Sequence, residues 1–404
     1  MTKYKPREVT RELLKALKNM PVVVLSGMRQ TGKSTLLLNQ PQLRGRKYFN
    51  FDDFNTLEFA KSNPENLLTG KEPITIDEAQ KYPEILNVIK QEVDRNRKPG
   101  RFLLSGSANF LLLKNIADSL AGRAVYLTLP PFTHREIQGT KTLPGIVEFI
   151  NKKTFPNRDE KPVSWKEILT GGMPSVCLGE VKDPDIWFRG YEQTYLERDI
   201  RNLSQVADLG SFRYLLRLVA LRNTQILKQS ELARDAKLNV MTVSRYLSLM
   251  EASFILRRIP PYLGNHTSRL IKSPKIYLSD TGLASYLTGI RASGTNEYFR
   301  GALMENYVAQ NLEGILSAYC PEAKIFYWNI QGRYEVDFIV EIENETIAIE
   351  VKSSSRWHEQ DLIGIKAYLH SSKKCRAGIL AYNGTQIIKL EDKIWVLPIN
   401  LLLN

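Results

Sequence analysis

The sequence is short of the residues that build covalently or metal-clipped scaffolds. Three cysteines, Cys177, Cys320 and Cys375, lie far apart in 404 residues with only four histidines for company. That spacing excludes a disulfide framework and offers no Cys/His zinc pattern. No apolar run approaches the ~18 residues that a membrane helix needs. The N-terminal stretch carries Lys3, Lys5, Arg7, Arg11, Lys15 and Lys18 and lacks the apolar centre of a secretory leader, so a cytoplasmic protein without membrane attachment is expected. Internal repeats and low-complexity tracts are absent. Acidic residues are also in deficit: 43 Asp and Glu face 56 Lys and Arg, a net charge of +13. Such an excess favours a polyanionic partner, nucleic acid above all, although charge alone does not identify one.

What is present is an ordinary globular composition, 43% hydrophobic, in a chain long enough for several domains. From Val22-Val23-Val24-Leu25 to about Pro131, strand-like and helix-like segments alternate, the rhythm of an α/β domain with a parallel sheet. A polar, proline-bearing stretch from Asn151 to Pro162 precedes a mainly helical region, and a second break falls at Arg291 to Asn296. Four parts are therefore expected: an α/β domain over 1–150, a helical linker or lid over 151–204, a helical domain over 205–290 and a small α/β domain over 291–404.

The run Gly27-Met28-Arg29-Gln30-Thr31-Gly32-Lys33-Ser34-Thr35 satisfies G-x-x-x-x-G-K-[ST] in full, between a β-branched strand and a helical run. Glycines at both ends let the backbone curl until its amides face phosphate oxygens. Lys33 would neutralise the β- and γ-phosphates and the Ser34 hydroxyl would ligate Mg²⁺, which makes ATP with Mg²⁺ the expected cofactor pair. The short strand Ile74-Thr75-Ile76 ends in Asp77-Glu78. Asp77 is placed on the magnesium and Glu78 on the attacking water, although paired acids also serve as helix caps. A further strand ends in Ser105-Gly106-Ser107, either serine being a candidate sensor of the γ-phosphate, and Arg123 is a candidate arginine finger for a neighbouring subunit.

The complete loop, the Ile-Asp-Glu-Ala-Gln strand end, the Leu-Leu-Ser-Gly-Ser strand and the Ser119-Leu-Ala-Gly-Arg123 element together resemble the AAA+ ATPases. The likeness is to a prokaryotic branch in which the ATPase precedes a C-terminal region of formally unknown function. The resemblance implies a homo-oligomer, in the form of a hexameric ring for many of its members.

In the helical part, Ser230–Asn239 followed by Val240–Met250 has the cadence of a helix-turn-helix. Helical spacing puts Val240, Val243, Leu247 and Met250 on the buried face and leaves Thr242, Arg245 and Ser248 to meet a DNA groove. Two strands around Arg257-Arg258 and Lys275, with a basic loop through Arg269 and Lys272, read as the wing of a winged helix. Between Gln205 and Ile290 twelve Lys or Arg stand against five Asp or Glu, the charge of a DNA-contacting module. Winged helices also serve as protein-binding modules.

Near the C-terminus, Tyr334–Ile342 and Thr346–Lys352 alternate as two strands of a hairpin, each with one apolar face. Burying both faces on one side requires partner numbers with an odd sum, as when Ile342 meets Ile347. That register sets Asp337 across from Lys352, with Glu350 nearby, on the face away from the apolar stripe. Two carboxylates and an ammonium could hold Mg²⁺ or Mn²⁺ for attack on a phosphodiester. The D-x₁₂-E-x-K spacing resembles the PD-(D/E)XK nucleases, with Val336 in place of the proline, and the resemblance implies Glu305 as a third acid. The fold class expected is α/β throughout: an AAA+ parallel-sheet domain, a helical winged-helix middle and a restriction-endonuclease-like C-terminal domain. An ATP-driven machine on branched, broken or foreign DNA is the leading expectation; the alternatives are a signalling switch with a protein-binding platform and an ATP-licensed endonuclease.

Overall fold

The structure is a computed structural model that describes residues 4–107, 120–195, 200, 208–263, 272–290, 297–330 and 332–404. The chain forms two compact units. The first comprises Met1–Pro131, Gly190–Ala207 and Ser248–Ile255, the second Phe132–Arg189, Asp208–Leu247 and Leu256–Asn404. No helix among the described residues is long and apolar enough to cross a membrane.

The first unit is built on five parallel strands, β1 (Val22–Ser26), β2 (Lys47–Asn50), β3 (Ile74–Asp77), β4 (Phe102–Gly106) and β5 (Ala124–Thr128), in the order β2-β3-β4-β1-β5. The unbroken apolar run of β1 follows from its central place, because side chains of successive residues leave on opposite faces and both faces are covered. Val22 and Val24 pack with Ile74, Ile76, Phe102 and the helix Ile85–Arg95. Val23 and Leu25 pack on the other side with Leu13, Leu36 and Leu103. Parallel strands deliver Ser26, Asp77 and Gly106 to one edge of the sheet, and the site is built there.

The second unit carries a six-stranded sheet in the order β12-β13-β11-β10-β9-β8. Its strands are β8 (Lys324–Ile330), β9 (Tyr334–Ile342), β10 (Glu345–Lys352), β11 (Cys375–Tyr382), β12 (Ile388–Glu391) and β13 (Ile394–Pro398). The hairpin β9-β10 lies where the alternation places it, with the odd-sum parity kept but a tighter register than Ile342 against Ile347: Glu345 pairs with Ile342 and Ile349 with Phe338. The two-residue turn is Glu343-Asn344, with Glu343 left-handed at φ 53°, as a tight hairpin requires. Continued by one step, this ladder sets Asp337 across from Glu350 instead of Lys352. The expected solvent face is also absent, since Ile339 and Ala348 are fully buried and Asp337 is 8% exposed. Helices Glu297–Tyr319 and Ile363–Ser371 both pack on these strands.

Three helices, Leu209–Leu221, Gln229–Ala236 and Val240–Ala252, precede a two-stranded antiparallel ribbon of β6 (Leu256–Ile259) and β7 (Lys275–Leu278). Val243, Tyr246, Leu247 and Met250 are the buried stripe of Val240–Ala252. Val240 is not part of it, being 48% exposed. It opens the helix beside the Asn239 side chain, which accepts from the Thr242 amide, and the apolar period begins one turn later. Ser230 does not cap Gln229–Ala236, whose cap position is Lys228 without a side-chain bond. Asp280 caps Thr281–Thr288 by accepting from the Leu283 amide at 2.8 Å and also takes the Gly172 amide at 2.6 Å.

Candidate functional site

The loop after β1 is turned by three left-handed residues, Gly27 (φ 150°), Gln30 (φ 61°) and Gly32 (φ 91°). Gly27 has a second reason to be glycine, for a Cβ there would stand 2.4 Å from the Leu129 carbonyl oxygen. From below, the Arg7 guanidinium donates to the carbonyls of Thr31 (2.8 Å) and Pro130 (2.6 Å), and the Thr31 hydroxyl donates to Met28 O at 2.9 Å. The loop is thus braced before any ligand arrives. Met28 and Thr31 are buried, so they offer a ligand their main chain only, while Arg29, Gln30, Ser34 and Thr35 reach the surface to varying extents. Lys33 is buried and donates to the carbonyls of Gly27 (2.9 Å) and Met28 (2.7 Å).

At the end of β3, Asp77 is wholly buried. One carboxylate oxygen accepts from the Tyr48 hydroxyl at 2.7 Å, the other from the Glu78 amide at 3.1 Å and from the Ser105 hydroxyl. Ser105 therefore orients Asp77 and is itself fully enclosed, which separates the two candidate serines. Ser107 is the one tied to the acid that follows: the Gln80 amide donates to Glu78 Oε2 at 2.5 Å and to Ser107 Oγ at 3.2 Å. Burial pushes the Glu78 carboxyl above its ordinary range, against the pull of the Lys33 ammonium. That mutual influence puts Lys33 and Glu78 in one electrostatic neighbourhood.

A braced loop rich in left-handed residues, a buried ammonium and a hydroxyl and carboxylate as hard oxygen donors fit a magnesium triphosphate. Tyr48, Gln80 and Arg7 escaped sequence reasoning. Gln80 was within reach, two residues beyond Glu78 in the same short run, but nothing local marks Tyr48 or Arg7. Arg123 is engaged by its own unit: its Nε lies 2.6 Å from Asp94 and its terminal nitrogen donates to the same carboxylate at 2.9 Å.

In the second unit the three expected metal ligands do not form a metal site, and among the described residues no such cluster occurs. A lysine stands between them. Lys275 Nζ lies 3.1 Å from Glu305, 2.5 Å from Glu335 and 3.4 Å from Asp337. Burial alone would lower its pKa, but Glu305, Tyr277, Asp337 and Glu335 outweigh it and hold the ammonium well above the ordinary lysine value. The Tyr277 hydroxyl donates to Glu305 at 2.6 Å. Asp337 also accepts from the Val351 amide at 2.9 Å, and Lys352 donates to Glu350 at 2.9 Å. Burial, then the neighbouring Asp337 charge, raises Glu305 to about 7 and Glu350 to about 8.

Lys275 is thereby removed from the proposed DNA surface, and so is Arg257, whose guanidinium pairs with Glu313 and donates to Ser279 Oγ at 3.1 Å and to Ser279 O at 3.3 Å. Arg258 is half-buried, as is Thr242, while Arg245, Ser248 and Lys272 are exposed. Arg269 lies outside the described residues.

Residues 19–138 match a family model described as an AAA domain. Residues 164–294 and 300–402 match two domains of unknown function, DUF8612 and DUF4143. A solved structure, the Walker-type ATPase PABY2304 of Pyrococcus abyssi, is 16% identical and aligns over 71% of this chain and 99% of its own with a TM-score of 0.41. The uncharacterized proteins Rv2008c of Mycobacterium tuberculosis and Mb2031c of Mycobacterium bovis are each 32% identical over 356 residues, 86% of this chain and 74% of theirs. The N-terminal part is thus a P-loop ATPase-like, nucleotide-binding fold with an AAA domain, and the chain belongs to the family of Rv2008c and Mb2031c.

Proposed function

We propose that the chain is an Mg²⁺-dependent ATPase that works on DNA as an oligomer, its second unit serving as the DNA-directed part. The observation that carries the reading is the meeting of Lys33, Asp77, Glu78, Gln80 and Ser107 at the C-terminal edge of one parallel sheet. Ser34 and Asp77 would hold the magnesium ion, whose role is to neutralise charge on the β- and γ-phosphates. Lys33 leaves the carbonyls of Gly27 and Met28 for the phosphate oxygens. Tyr48 and Ser105 keep Asp77 oriented, and Gln80 holds Glu78 where a water can give up its proton. A carboxyl raised by burial is a better proton acceptor at neutral pH than an ordinary glutamate.

Support for DNA comes from the exposed residues of Val240–Ala252 and its surroundings. Within the second unit Arg245 lies open on that helix, and Lys237, Arg234 and Lys272 are exposed close to it in sequence. The winged-helix reading rests on this helix pair and the β6-β7 ribbon. Favouring instead a protein partner, and with it the switch hypothesis, Met241 is 83% exposed beside Val240. The two readings separate in one assay: ATP turnover is measured with and without linear, single-stranded and four-way-junction DNA at several salt concentrations. The DNA reading expects stimulation that fades steeply with salt and is weakened by Arg245→Ala. Turnover indifferent to every DNA would transfer the argument to the switch.

A further inference from the structure

The geometry points to Lys275 as the resident cation of the carboxylate centre: its ammonium takes the place that a divalent metal would occupy between Glu305 and Asp337, so the centre is closed to metal until that lysine is removed. This stands on the second unit alone and is independent of the ATPase reading.

An ammonium has three N–H donors, and three carboxylates, those of Glu305, Glu335 and Asp337, lie within 2.5–3.4 Å of this one. The side chain is 4% exposed. β7 supplies it together with Tyr277, two residues on and therefore on the same side of the strand, and both bond to the same oxygen, Glu305 Oε1. The Tyr327 ring adds a face to the enclosure, its centroid 5.9 Å from Nζ. Three independent elements, β7, β9 and the helix Glu297–Tyr319, thus converge on one positive point. A bound Mg²⁺ sets its oxygens at about 2.0–2.1 Å and Mn²⁺ uses similar donors, so a metal ion among these carboxylates would press against the ammonium at close range with like charge.

Carboxylates of two elements already face this point, Glu305 from the helix Glu297–Tyr319 and Asp337 from β9. Glu350 Oε2 is a buried acceptor with no hydrogen-bond partner, and the carboxylates of Glu305, Glu335 and Asp337 face Lys275 three to one, a deficit of positive charge at that point. Taking away one ammonium deepens that deficit, and a divalent cation is the chemistry that cancels it.

The test uses the full-length protein without nucleotide and follows Mn²⁺ by electron paramagnetic resonance. Wild type is expected to bind no Mn²⁺ that depends on Asp337. Lys275→Gln and Lys275→Ala are each expected to take up one Mn²⁺ per chain at least about tenfold more tightly than wild type, to be stabilised thermally by it, and to lose that uptake when Asp337→Asn is added. Wild-type uptake that disappears in Asp337→Asn would overturn the proposal whatever the variants do. So would folded Lys275→Gln without a new Mn²⁺ signal.

Discussion

Glu78, the proposed proton acceptor, stands in a backbone conformation that few residues other than glycine adopt, φ 56°, and such conformations persist where surrounding bonds enforce them. Here the Asp77 carboxylate accepts the Glu78 amide and Gln80 grips the Glu78 side chain. Glu78→Gln keeps the backbone and the size but removes the proton acceptor. It should bind nucleotide as wild type does and turn over about 10²–10⁴-fold more slowly, as measured by fluorescent-nucleotide titration beside steady-state hydrolysis. Hydrolysis at the wild-type rate would remove Glu78 from its role. Glu350 allows a second test at this scale. Its carboxyl titrates at about 8 in the folded chain, against about 4.3 in an unfolded one. The folded state therefore holds a proton that the unfolded state releases, and this stabilisation is complete below about pH 4, declines as pH rises and is gone above about pH 8. Glu350→Gln carries no such liability. Relative to wild type it should gain on the order of 4 kcal/mol between pH 5 and pH 9, read from denaturant midpoints, and a pH-independent difference would contradict the burial argument.

At the scale of elements, what sequence reasoning recovered is what short-range patterning dictates. β1 and the loop after it are legible because four β-branched or apolar residues lead into a complete glycine-lysine pattern. β9 and β10 are legible because alternation over seven or more residues has no other reading. The hairpin register was half legible: the parity came from burying apolar residues on a common side, but the pairing of Glu345 with Ile342 rested on Glu343 accepting a left-handed φ, which no local residue type announces. Lys275 shows why the rest stayed hidden. In sequence it ends a basic loop and reads as a surface contact, yet three carboxylates 30 to 62 residues away turn it inward. The same long-range pairing disposes of Arg257 in β6, which meets Glu313 of the helix Glu297–Tyr319. Charge in a window predicts exposure only when the window contains its own counter-ions, and here it did not.

For the proposed oligomer the decisive residue is Arg123, because its place in the sheet keeps it from the phosphate loop of its own chain. It precedes β5, whose residue Ala124 pairs with Val22 at the start of β1, while the phosphate loop follows Ser26 at the end. Five residues of strand, about 15 Å, separate the two edges of the sheet. A phosphate contact by Arg123 therefore has to be made in a neighbouring chain, and to make it the guanidinium has to leave Asp94. That release is easy, because the pair is solvent-exposed and such pairs hold their partners weakly. Arg123→Ala alone should then depress turnover without weakening nucleotide binding, and Asp94→Ala, which frees the guanidinium, should leave turnover intact. Mixing Arg123→Ala chains with Lys33→Ala chains should restore part of the activity, since an intact loop in one chain meets an intact arginine from the other. If equimolar mixtures stay as inactive as either parent across a range of protein concentrations, Arg123 is a surface ion-pair partner of Asp94 and the shared-site oligomer falls with it.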